Sequence, residues 1–485
     1  MSGDVLTYSV DDGVASIVID SPPVNALSHR VRTAIHAGMS RAMADDAVKA
    51  IVIACAGRTF FAGADVTELS RPIEPPLLSD IMALVESAAK PVIAALHGAA
   101  LGGGFELALA CHYRVAVSAA KVGLPEVALG LCPGAGGTQR LPRLIGVAAA
   151  VEAIALGKTI GAQEALKLGL IDELVDSDDP APSAVTFAHS LIAREASLRR
   201  VRDLPLDVDV RVAHEIFSAF RAAHPNLFVG LKAADGVLRA IEAAVGLPFD
   251  EGILAERAIS RELAATPESA AQRHLFFAER AAAKPPGGEK VKPSGRSLRL
   301  EGRKEDVDDW AKLLGSKQVG GDIVVNVSGE KARIALKRTS DLIEIAFESG
   351  ADAQDLADVM AAVRRVNPAA VFVRSGEGLI VERLTKCAQV TAETLIRAGA
   401  RREVLASIAP GLLGAAQPTN VDEALAHDLL DPVAAEAACL LHEGVAQRAS
   451  DIDFAMVRAG RWPPWLGGPL FWAEREGVAK IDAQL

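Results

Sequence analysis

Over the first 180 residues, apolar positions fall into short runs separated by longer amphipathic stretches. Leu6–Val10 and Val14–Asp20 flank Asp11, Asp12 and Gly13, which predicts a β-hairpin. Ala50–Cys55, Pro91–Leu96 and Tyr113–Val117 are brief apolar runs of the kind found in strands covered on both faces. Val31–Asp45, Leu77–Ala88, Glu106–Cys111 and Gly137–Leu144 carry a helical period between them. Interleaved strands and helices predict an α/β layered domain with a buried sheet. Further on, Val185–Arg194, Val212–Ala223 and Leu254–Arg280 read as helices, and Lys284–Gly295, rich in Pro, Gly and charge, reads as a linker. Asp322–Val327, Leu342–Phe347 and Ala370–Val373 are strand-like, and helical patterns dominate from Leu379 onward. The expected organisation is a core over 1–190, a helical extension over 191–283, the linker 284–295, a small α/β region over 296–375 and a helical region over 376–485.

Composition narrows the class. A chain of 485 residues has room for about three domains with full cores. The net charge of −11 argues against a nucleic-acid partner. No apolar run approaches the roughly 20 residues of a membrane-spanning helix. The acidic, polar start is unlike a signal peptide, and Lys480–Leu485 does not match the peroxisomal tripeptide, so a cytoplasmic location is expected. Cys55, Cys111, Cys132, Cys387 and Cys439 lack C-x-x-C spacing, and four of them sit in apolar or mixed segments. They read as core thiols, with neither disulfides nor a metal site expected.

The densest chemistry lies in Ala100–Ala108 and in Pro125 with Glu126. Gly102, Gly103 and Gly104 let backbone approach a ligand closely, and the helix that follows aims free N–H groups outward. An oxyanion placed there gains hydrogen bonds and the positive end of the helix dipole. Phe61–Asp65, a second turn of small residues, offers another backbone donor. Glu106 also fits a plain helix-start carboxylate, and Glu126 a solvated turn residue.

The ordered motifs Pro23–Leu27, Phe61–Asp65, His97–Glu106, Leu124–Glu126 and Pro133–Pro142 resemble those of the crotonase (enoyl-CoA hydratase/isomerase) superfamily. That resemblance implies a layered β/α spiral core. It implies an oxyanion hole from the N–H groups of Ala64 and Gly103, with Glu106 and Glu126 as the two hydratase glutamates. It further implies coenzyme A contacts at Val24, Ala26, Leu27, Ala62, Gly63, Asp65, Gly102, Pro125 and Gly134, with Asp65 capping or orienting its loop. Gly134–Gly137 departs from the G-x-G-x-x-G pattern and reads as a turn shaping the acyl pocket.

The C-terminal half resembles the end of multifunctional β-oxidation enzymes, which join a hydratase to a 3-hydroxyacyl-CoA dehydrogenase. The resemblance rests on Arg273–Arg280, Val433–Asp453 and the aromatic cluster of Trp462, Trp465, Phe471 and Trp472. No G-x-G-x-x-G follows residue 285, Ala332 stands about where the family has its catalytic His, and Glu382 stands where it has a functional Asn. His427 and His442 read as structural or surface residues. The expectation is a hydratase acting on an acyl-CoA thioester, without NAD, metal or dehydrogenase activity. Δ3-Δ2-enoyl-CoA isomerisation and a non-catalytic acyl-CoA-binding scaffold are the alternatives. A monomer or dimer is expected in place of the superfamily's hexamer, as is association with other β-oxidation enzymes.

Overall fold

The computed structural model describes residues 5–70, 74–286, 291–314, 323–327, 333–367, 369–375, 379–413 and 423–478. The chain divides into two compact units, Met1–Ser269 and Ala270–Leu485.

Among the described residues the first unit holds nine strands: β1 (Leu6–Asp11), β2 (Val14–Ile19), β3 (Ala50–Cys55), β4 (Val92–Leu96), β5 (Ala99–Leu101), β6 (Tyr113–Val117), β7 (Lys121–Gly123), β8 (Thr159–Gly161) and β9 (Glu173–Val175). The large sheet runs β1-β2-β3-β4-β6-β9. Its first pair is the expected antiparallel hairpin, with Leu6 opposite Ile19, and every later pair is parallel. The central runs are apolar throughout because both faces are covered. Ile17, Ile51 and Ile53 enter the main core, while Val14, Val52, Ile93 and Val115 pack with Ala184, Ala188 and Leu191 of the Ala181–Ala193 helix. A smaller sheet, β5-β7-β8, begins where the chain leaves β4 through His97 and Gly98. It carries the backbone of the candidate site.

Helices follow the sequence pattern with instructive shifts. Leu254–Arg280 is two helices, Phe249–Ala264 and Pro267–Ala282. Pro267 cannot donate into a preceding turn and disfavours helical backbone at Thr266. The Ala233–Gly246 helix lies within the expected helical extension, although the sequence reading did not single it out. Among the described residues no helix is long and apolar enough to cross a membrane.

The second unit carries a mixed sheet in chain order: β10 (Leu298–Glu301), β11 (Ile323–Asn326), β12 (Ile334–Thr339), β13 (Leu342–Phe347) and β14 (Ala370–Arg374). The remainder is mainly helical. Val433–Asp453 covers the end of the Glu423–His442 helix and the start of Ala449–Arg458. Trp462 and Trp472 lie in the core, their ring centroids 6.3 Å apart. Asp453 is buried and accepts hydrogen bonds from His274 Nε2 (2.8 Å), Leu470 N (2.7 Å) and Phe471 N (3.2 Å), so the Pro469–Glu476 helix takes its N-terminal acceptor from another helix. Cys55, Cys111 and Cys132 are buried as expected, but Cys387 is half-buried and Cys439 is exposed. Cys439 lies on the outer side of an Ala-rich helix, where neighbouring apolar residues do not signal burial.

Of the expected linker, residues 287–290 lie outside the described residues, and its C-terminal end is anchored. Asp358, buried on the Ala353–Arg364 helix, accepts from Ser294 N (2.6 Å), Ser294 Oγ (2.7 Å), Gly295 N (2.8 Å) and Arg296 Nε (3.0 Å). Although burial opposes ionisation, these donors hold its carboxyl at about 2 against an ordinary 3.8. A depressed folded-state pKa stabilises above the unfolded value and is lost as pH falls through the folded one. Asp358→Asn should therefore destabilise the protein by about 1–3 kcal/mol at neutral pH. In urea unfolding followed from pH 7 downward, the gap from wild type should close between about pH 4 and pH 2.

Candidate active site

β5 leads through Gly102 into the Gly103–Ala110 helix, all eight residues of which are buried. The helix starts three residues before the expected Glu106, because the glycine turn itself is helical from Gly103. Alongside runs the Phe60–Ala64 segment, fixed by backbone bonds from Phe60 N to His97 O (2.9 Å), Leu101 N to Phe61 O (3.1 Å), Ala62 N to Val24 O (3.2 Å) and Leu27 N to Gly63 O (2.9 Å). Asn25 braces the adjoining loop, donating to Ala56 O (2.9 Å) and Thr59 O (2.8 Å) and accepting from Ser21 N (2.7 Å). The helix and this segment touch at Gly104, where a Cβ would lie 2.1 Å from Phe61 O. Only glycine permits that approach.

The approach brings the two expected donors together. A Cβ on Gly103 would lie 3.5 Å from Ala64 N. Gly103 N opens its helix and has no acceptor within it. Neither N–H is engaged in a hydrogen bond among the described residues. Ala64 is exposed.

The two glutamates meet adjacent turns, Glu126 that of Gly102 and Glu106 that of Ala135–Gly137, close enough for the charge of one to act on the other. A Cβ on Gly102 would lie 2.8 Å from Glu126 Oε1. Glu106 is 3% exposed and does not cap its own helix; its Oε1 accepts from Ala135 N (2.9 Å) and Gly137 N (2.8 Å). Burial raises its pKa, opposed by those two amides and by Arg140. Glu126 is partly exposed as a residue, yet its Oε2 is buried and has no hydrogen-bond partner among the described residues. Burial, and then the charge of Glu106, raise Glu126 well above the carboxylate range. Glu106 thus receives hydrogen bonds that favour its charged form, whereas Glu126 Oε2 receives none among the described residues.

The other expected contacts divide into two groups. Gly63 and Gly102 lie at the turn itself, and Pro125 precedes Glu126 at the start of a short 3-10 helix. Leu27 turns its side chain into the core, with Cδ1 3.5 Å from a Cβ placed on Gly103. Val24 is exposed, and Ala26 and Ala62 are half-buried. Asp65 holds its own loop, accepting from Thr67 N (3.0 Å) and Thr67 Oγ1 (2.7 Å). Gly134 sits beside Ser260. Of the loop Ser70–Pro76, residues 71–73 lie outside the described residues.

Sequence reasoning missed three charged residues around this site. Glu86 and Arg140 form a buried ion pair at 2.8 Å, and Arg140 Nη1 also donates to Ala135 O (3.0 Å). Glu256 is fully buried and accepts from Gly136 N (2.5 Å), Thr138 N (2.8 Å) and Thr138 Oγ1 (2.5 Å). Its signal was available: Glu256 shares the buried stripe of Gly252, Ile259 and Leu263 at helical spacing, where a charge requires partners.

In the second unit, Glu382 is exposed and paired with Lys337, and Ala332 lies outside the described residues. Glu344 on β13 is buried, its Oε2 without a partner among the described residues, and burial pushes its pKa to about 7.

A family model described as enoyl-CoA hydratase/isomerase matches residues 9–214. The peroxisomal bifunctional enzyme of Danio rerio is 43% identical over 279 residues, covering 57% of this chain and 38% of its own length. That of Homo sapiens is 42% identical over 278 residues, covering 56% and 38%. A probable enoyl-CoA hydratase of Bacillus subtilis is 46% identical over 175 residues, covering 35% of this chain and 68% of its own length. The chain therefore aligns with well under half the length of the bifunctional relatives.

Gly104→Ala should be among the most damaging single-methyl additions in the first unit. The backbone of Phe61 would have to move, at a cost of about 1–3 kcal/mol or more. A thermal melt and circular dichroism of the variant check this; a wild-type melt would show that the contact yields easily.

Proposed function

Because this chain belongs to the enoyl-CoA hydratase/isomerase family, we propose that it hydrates trans-2-enoyl-CoA thioesters to 3-hydroxyacyl-CoA within β-oxidation. The observation that carries this reading is the pairing of Glu106 with Glu126 beside two unengaged backbone N–H groups. In the proposed reaction the thioester oxygen accepts from Ala64 N and Gly103 N, and electron density shifts onto it as water attacks C3. Glu106, anionic between two amides, orients the water and takes its proton as the C3–O bond forms. Glu126 gives its proton to C2, completing the addition, and the two carboxyl groups then exchange protons through solvent. Two carboxyl groups with separated proton affinities suit addition of a whole water molecule. The scaffold reading leaves that separation without a use. Isomerisation, which Glu126 could carry out alone by moving one proton, is the second reading.

Val24, Ala26, Leu27, Ala62 and Gly63 would bind the coenzyme A portion mainly through backbone. We propose that no nicotinamide cofactor takes part, and that 3-hydroxyacyl-CoA with NAD yields no NADH.

Crotonyl-CoA absorbance should fall on adding the enzyme, and Glu126→Gln should slow the fall by about 100- to 10,000-fold. Glu106→Gln should also suppress hydration. If it spares conversion of a 3-enoyl-CoA to the 2-enoyl isomer, the two activities separate. Binding of crotonyl-CoA with flat absorbance would favour the scaffold.

A further inference from the structure

The turn Ala135–Thr138 lies between two buried carboxylates. Its four consecutive N–H groups alternate between them: Ala135 N and Gly137 N donate to Glu106, whereas Gly136 N and Thr138 N donate to Glu256. Gly136 at φ +106 is in the left-handed region, which is open to glycine. Thr138 Oγ1 adds a third bond to Glu256, and Gln139 Nε2 in turn donates to that hydroxyl (2.8 Å) and to Ala240 O (2.9 Å). Glu256 is thus tied to the same short turn that holds the water-orienting carboxylate, and it comes from a helix more than a hundred residues later.

We propose that Glu256 is a positioning residue for the hydration reaction: by clamping Gly136 and Thr138 it fixes the direction of the Ala135 and Gly137 amides, and with them the Glu106 carboxylate. The inference rests on the hydratase reading given above. Glu256 does not reach the substrate in this role; it acts through the turn. A turn held on one side only would let Glu106 swing, and misplacement of a reacting group by about 1 Å costs on the order of 100-fold in rate.

The arrangement also links the proton affinities of the acidic groups. Burial and then the charge of Glu106 push Glu256 up to about 8, and Glu256 in turn raises Glu126. The groups that face Glu256 are Glu106 from the glycine-turn helix, Glu126 from the 3-10 helix, Thr138 and Gln139 from the Gly137–Ile145 helix, and the Cys132 thiol ahead of the turn. Above about pH 8, where Glu256 is ionised, taking its charge out of this set makes the remaining carboxyl groups easier to ionise. Their apparent pKa values then fall together.

The test is Glu256→Gln in the full chain, a near-isostere that accepts through one oxygen and leaves a second turn amide without an acceptor. Hydration of crotonyl-CoA should lose about 10- to 100-fold in kcat with KM within threefold, and the pH–rate profile should move to lower pH. Thr138→Val should move kcat the same way by a smaller factor, and Thr138→Ser should restore it. Should Glu256→Gln not fold, this Thr138 pair decides the matter alone. Wild-type kcat and an unmoved pH profile, counted per folded active site, would overturn the proposal. A fall in rate that only tracks the fraction folded would do the same. Infrared titration of the carboxyl stretch separates this question from the hydratase reading. If the wild type hydrates no enoyl-CoA, that reading fails, whereas the proposal stands or falls on whether Glu256→Gln shifts the hydrogen-bond-sensitive band of the Glu106 carboxyl, identified by its loss in Glu106→Gln.

Discussion

A carbonyl oxygen pressed against a residue without a side chain fixes the geometry of the first unit's site. Phe61 O and Gly104 approach so closely that no Cβ fits, and this contact sets the glycine-turn helix against the Phe60–Ala64 segment. The unengaged N–H groups of Gly103 and Ala64 become neighbours as a result. Everything else in the site is arranged around that pair: β5 delivers the turn, β7 delivers Glu126 to Gly102, and the following turn receives Glu106. The sheet contributes rigidity, since strands covered on both faces leave the turn little room to relax.

Burying several acidic groups in one region has a large cost, and the structure offsets it unevenly. Glu106 receives two amides and the field of Arg140, and Glu256 receives two amides and a hydroxyl. Glu126 receives no donor at Oε2. This unevenness separates the two: the donors to Glu106 favour its charged form, and Glu126 has no such support at Oε2. The Glu86–Arg140 pair contributes at one remove, by tying the turn's Ala135 carbonyl.

Much of this was legible in the sequence, for identifiable reasons. The hairpin and the parallel strands announced themselves through apolar runs and the glycine turn through local spacing, whereas both glutamates were assigned roles only by the family resemblance. Missed features depended on distance along the chain. Glu256 was hidden because its partners lie in another helix, although its place in an apolar stripe marked it as a buried charge. Asp358 was hidden likewise, and so the end of the presumed linker, which it anchors, looked free. Cys439 was misjudged because alanine neighbours are uninformative about burial. The C-terminal unit shows the limit most clearly: its resemblance to a dehydrogenase end domain rested on helices and aromatics, which specify packing more than chemistry.

The uneven exposure of the thiols has a practical side. Cys55, Cys111 and Cys132 are shut in the core with their ionisation suppressed, and Cys387 is half-covered and likewise suppressed, so Cys439 is the thiol that meets solvent. An electrophilic dye offered in limiting amount at mild pH would attach there first. The wild-type chain therefore already carries an address in its second unit for a fluorophore or spin probe, with no engineered cysteine needed.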